Sequence, residues 1–119
     1  MSDDAEIRSV VATYVEGMAR GDAGMLRRAF HPGASIIGHF GGGLEWSDLD
    51  TFITACVDEA IPADAPVPPF AIEALDVDGD AARVWVVNVW AGLDVRDWLS
   101  LLKHDGRWQI VAKLFRHLA

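Results

Sequence analysis

Tyr14 is the only tyrosine in the sequence, and it interrupts a run of apolar residues, Ile7, Val10, Val11, Val15 and Met18, that recur every three or four positions. A phenol on such a stripe faces the interior, where it can donate a hydrogen bond to a developing enolate oxygen shielded from water. A core tyrosine bonded to backbone or water has the same pattern. Asn88 interrupts the apolar run Val84 to Trp90 in a similar way. Buried without partners, its amide would cost about 1–3 kcal/mol, so protein, water or a ligand must satisfy it. Asp97 and Lys113 sit in the last two strand-like segments. If Lys103 faces Arg107 across the turn between them, Asp97 lies opposite Lys113, and the two form an ion pair within the sheet. That pair is structural or orienting, part of a ligand pocket, or catalytic. His39 ends the first strand-like segment, and an imidazole there is a capable base near neutral pH. Trp46 flanks the mouth of a pocket or staples the helix that follows it.

The elements that must position these groups follow from periodicity. Ile7 to Met18 reads as an amphipathic helix ended by Gly21. Asp22 caps a second helix with apolar positions Met25, Leu26, Ala29 and Phe30, and His31-Pro32-Gly33 breaks it. Ser35 to Phe40 reads as a strand, and Gly41 to Gly43 as a turn. Ser47 caps a third helix carrying Leu49, Phe52, Ile53, Cys56, Val57 and Ala60. After a proline-rich linker the period becomes two, with strands Phe70 to Val77, Ala81 to Trp90, Val95 to Lys103 and Trp108 to Arg116. Asp78-Gly79, Ala91-Gly92 and His104-Asp105-Gly106 mark the turns. Helices followed by an antiparallel meander define an α+β order, read as one domain over residues 1–119. Both alternate sets of Arg83 to Trp90 are largely apolar, so both sheet faces need cover, the helices on one and a second copy of the chain on the other.

Composition excludes several classes. The formal charge is -8, and with no basic stripe to reverse it locally, nucleic acid is an unsuitable partner. The acidic start and the lack of a long apolar run read as cytoplasmic, with no membrane partner. Cys56 is the single cysteine, expected as a small buried hydrophobe. His31, His39, His104 and His117 are dispersed without a metal-ligand spacing, and no phosphate-cradling or dinucleotide motif is present, so neither metal nor cofactor is expected.

The segments Tyr14 to Asp22, Leu26 to Ile36 and Asp105 to Lys113 together resemble the NTF2-like superfamily, and within it the SnoaL-like and putative lumazine-binding group. The resemblance implies a cone in which N-terminal helices pack on a strongly curved mixed or antiparallel sheet that encloses a pocket, often as a dimer. It implies functions ranging over steroid isomerases, polyketide cyclases, dehydratases, epoxide hydrolases, transport adaptors and non-catalytic binders. Tyr14 resembles the oxyanion-stabilising tyrosine of the bacterial ketosteroid isomerases, and Asp97 lies near their second oxyanion-site acid. Their general-base aspartate falls at or beside Gly38, which leaves His39 as the neighbouring group to replace it, although adjacent strand positions face opposite ways.

The leading expectation is a binder of a small apolar or aromatic molecule, with polar contacts from Tyr14, His39, Trp46, Asn88, Asp97 and Lys113. The alternative is an isomerase, dehydratase or cyclase in which Tyr14 polarises a carbonyl and His39 or Asp97 moves a proton. A third reading is a protein-interaction module.

Overall fold

The structure, a computed structural model, describes residues 2–118. Helix α1 (Asp3–Arg20) begins where Ser2 accepts a hydrogen bond from the Ala5 amide at 3.1 Å. It ends at Gly21, whose φ of 62° is the left-handed cap that glycine adopts without a Cβ penalty. Asp22 caps α2 (Ala23–Ala29) through the Met25 amide at 3.0 Å.

The chain then passes directly into β1 (Phe30–Phe40), so Phe30 begins a strand and residues 31–33 lie inside it. The expected break is instead an irregularity in pairing. Phe30 pairs with Ile110 and the next partners are Ser35 and Ala112, which leaves Pro32, with no N–H to offer, outside the regular ladder. Gly41 and Gly42, at φ 59° and 82°, turn the chain into β2 (Gly43–Asp48), a strand the sequence reading did not anticipate. Asp48, one residue beyond Ser47, caps α3 (Leu49–Asp58) by accepting from the Thr51 amide at 2.9 Å.

Strands β3 (Ala71–Asp78), β4 (Ala81–Trp90), β5 (Leu93–His104) and β6 (Arg107–His117) form the expected meander. All six strands make one sheet in the order β2-β1-β6-β5-β4-β3, antiparallel except for the parallel β1–β6 pair. The sheet is therefore mixed. It is not the strongly curved cone that was expected: it ends at β2 and β3, which do not pair with each other, and it stays open. Nor does it enclose a roomy pocket. Tyr14, Phe30, Phe52 and Trp108 fill the space between helices and sheet, leaving a void of about 10 Å³.

The helical face of the sheet holds the core. Trp108 is buried, and its indole N–H donates to Asp3 Oδ1 at 3.0 Å; Lys103 reaches the same oxygen at 3.1 Å. The Trp108 bond and then Lys103 hold the Asp3 carboxyl below its ordinary range. One carboxylate in the first turn of α1, where the helix dipole favours an anion, thus ties α1 to the β5–β6 hairpin. The opposite face carries an apolar row across five strands, Trp46, Ile37, Leu114, Trp98 and Trp85, each paired with the next. Trp46 is 70% exposed at its end.

Candidate functional site

Asp97 is fully buried on the helical face of β5. Its Oδ2 accepts a hydrogen bond from the Tyr14 hydroxyl at 2.5 Å and another from Asn88 Nδ2 at 2.8 Å. Because a carboxylate only accepts, the amide must turn its nitrogen toward Asp97, which leaves Asn88 Oδ1 and Asp97 Oδ1 buried without partners. Burial first, and then the charge of Asp97, pushes the Tyr14 phenol well above its ordinary range, so it remains a neutral donor.

The expected pairing of Asp97 with Lys113 does not form. The turn holds two residues, Asp105 and Gly106, both at positive φ (52° and 74°), so Lys103 pairs with Trp108 and the register moves by one. A bulge between Ser100 and Leu101 adds a second step, which sets Lys113 opposite Leu99 and Asp97 opposite Phe115. Two steps preserve the side-chain face, so Lys113 still points to the same side as Asp97. It is 4% exposed, makes no ion pair among the described residues, and lies 4.3 Å from the Phe52 ring centroid and 5.3 Å from those of Tyr14 and Phe115. Cys56 is buried nearby on α3; burial pushes its thiol up to about 12, against a smaller opposing effect of the Lys113 ammonium. It is an inert core residue at neutral pH.

Lys113 and Asn88 line the small void with Glu45, Phe52, Trp90, Val95, Phe115 and His117. Trp90 Nε1 and both His117 ring nitrogens are buried there without partners. A surface hollow of about 510 Å³, bordered by Phe40, Trp46 and the end of α3, shares Glu45 and Trp90 with the void. Phe40 packs over that junction, 5.5 Å from the Trp90 ring and 5.2 Å from His117.

The structure thus brings Tyr14, Asn88 and Asp97 into contact, sets Lys113 beside them, and leaves Trp46 at the rim. His39 is exposed and stands apart. It follows Gly38, which is buried toward the helical face with Phe115 filling the space beside it; a Cβ on Gly38 would lie 2.6 Å from the Phe115 carbonyl oxygen. No side chain fits there, and the alternation of the strand turns His39 to the other side. Glu45, Trp90 and His117 escaped the sequence reading. His117 was within its reach, since residues 113, 115 and 117 alternate onto one face of β6.

This arrangement, helices on a six-stranded mixed sheet with a polar cluster between the layers, defines the NTF2-like superfamily. The profile described as "Putative lumazine-binding" matches residues 2–116, and the chain belongs to that family. It is similar to the aldolase FrzH of Cladobotryum sp, with 30% identity over 122 residues, 93% of this chain and 90% of that protein. Among solved structures, an NTF-2 like protein from Silicibacter pomeroyi DSS-3 is 40% identical with a TM-score of 0.93, covering 99% of this chain and 100% of that one. An NTF2-like protein from Methylobacillus flagellatus KT is 26% identical with a TM-score of 0.86, covering 100% and 96%. No helix among the described residues is long and apolar enough to cross a membrane.

Proposed function

We propose that this protein is an acid–base enzyme that moves a proton at the carbon beside the carbonyl of a small compound with an apolar or aromatic body. The observation that carries this reading is the 2.5 Å hydrogen bond from Tyr14 to the fully buried Asp97, whose Oδ1 is left free to accept. A carboxylate with one oxygen fixed by two donors and the other unpaired is a positioned base. Asp97 is hydrogen-bonded to Asn88, which lines the void, and a void of about 10 Å³ accepts one water, through which a proton can pass. Lys113 lines the same void and places its side-chain nitrogen where the carbonyl end of a substrate would lie. Tyr14 is a positioning residue, because its one proton is committed to Asp97.

Phe52, Trp90, Val95 and Phe115 line the void, and their side chains must move apart to admit the apolar part of a substrate, since about 10 Å³ holds no more than one water. The similarity to an aldolase supports this reading, since aldol addition begins with the same proton removal. Isomerisation, dehydration and cyclisation share that first step. The binding reading is contained within it: the same walls hold the ligand whether or not turnover follows.

The test is exchange of the α-hydrogens of cyclohexanone and phenylacetone for deuterium in heavy water, followed by proton NMR. Exchange should depend on native protein and be absent with protein unfolded in urea. Equal rates with and without native protein for both ketones would remove the proposal.

We also infer a homodimer through the outer sheet face, supported by the apolar row from Trp46 to Trp85, which a monomer would leave to water. Sedimentation should give twice the chain mass, and Leu114→Asp should halve it. A wild-type monomer at micromolar concentration would contradict the inference.

A further inference from the structure

Lys113 is a buried amine among three aromatic rings, with Met18 Sδ 3.9 Å from its Nζ and no carboxylate paired to it among the described residues. Ordinary structural lysines keep the ammonium in water or on an acid. This one lines a void together with unpartnered buried atoms of Asn88, Trp90 and His117. Apolar walls that desolvate an amine, with polar groups beside it to handle protons and oxygen, are what carbonyl capture by lysine requires.

We propose that Lys113 is the nucleophile that binds the substrate covalently, as an imine of an aldehyde or an unhindered ketone. This rests on the carbonyl reading above and names the chemical means by which the site holds that carbonyl. The ammonium first gives up a proton, and Glu45 and His117, which line the same void, are placed to take it. The nitrogen lone pair then forms a bond to the carbonyl carbon, the π electrons move to oxygen, and a proton there gives the carbinolamine. A second proton on that hydroxyl lets it leave as water while the nitrogen lone pair forms the C=N bond. Amine and carbonyl become imine and water, with no oxidant or reductant. The protonated imine draws electrons from the α-carbon, and loss of the α-proton to Asp97 leaves an enamine ready to attack a second carbonyl.

The sequence suits a direct test, because Lys103 and Lys113 are its only lysines. Native protein is treated with butanal and sodium cyanoborohydride, and the butylated residue is found by peptide mapping. Lys113 should be labelled faster than Lys103, because the void beside it holds the carbonyl against its nitrogen, and labelling of the native protein should survive K103R. In K113M, which keeps an unbranched apolar side chain in the cage, only Lys103 and the N-terminus should be labelled; a melting curve verifies that the variant is folded. Labelling of native protein confined to Lys103 and the N-terminus would overturn the proposal. Measuring ketone deuterium exchange on the same samples separates the two readings. Exchange without Lys113 labelling removes the imine and leaves the acid–base site; labelling without exchange does the reverse.

Discussion

Asp97→Ala is expected to lower folding stability by about 2–4 kcal/mol, read from the urea midpoint at unchanged slope. The side chain is wholly buried and accepts from Tyr14 and Asn88, so its removal takes the acceptor from two buried donors. Each unsatisfied buried donor costs about 1–3 kcal/mol, and relief of the buried charge offsets part of the sum. Asp97→Asn keeps the volume and one accepting oxygen, and should cost less than Ala. An alanine variant as stable as the wild type would mean that the cluster is not formed as described.

The second large effect is in the titration of Tyr14, which can be followed alone because the chain has no other tyrosine. Burial, and then the Asp97 charge, holds the phenol well above its ordinary value of 10.0. Phenolate absorbance should therefore be missing from the native protein at pH 10 and appear only with unfolding at higher pH. The sign follows from linkage: a group whose folded value is raised stabilises the fold fully below its unfolded value, and that contribution is lost as pH climbs past it toward the folded value. Stability should accordingly decline above about pH 10. Half-ionisation of the native protein at pH 10 would show that Tyr14 is neither buried nor facing an anion.

Much of this fold is written in local chemistry. Gly21 and Asp22 punctuate α1 and α2 where the sequence places them, and the turns at Gly79-Asp80, one residue beyond the expected Asp78-Gly79, Ala91-Gly92 and Asp105-Gly106 give the meander. What escaped is non-local. Nothing near β1 announces that it will lie parallel to β6, and β2 is a short strand visible only once β1 stands beside it. The open sheet in place of a cone belongs to the same kind, since closure depends on which distant edges meet.

The site divides in the same way. Tyr14 and Asn88 were legible as polar interruptions of apolar patterns, and their meeting at Asp97 needed only the right strands to be neighbours. The pairing of Asp97 with Lys113 failed on a one-residue turn difference and a bulge, features that the hydrophobic pattern tolerates. Glu45 was hidden because β2 was. His39 was named for its chemistry, yet the alternation of β1 gives the inward position to Gly38.

The central claim is that chemistry occurs between helices and sheet, around Asp97, and not on the outer face. Deuterium exchange into cyclohexanone should fall about a hundredfold in Asp97→Asn, the usual contribution of a positioned base, and stay at the wild-type rate in His39→Ala. Full exchange by Asp97→Asn, with the loss appearing in His39→Ala, would contradict the account.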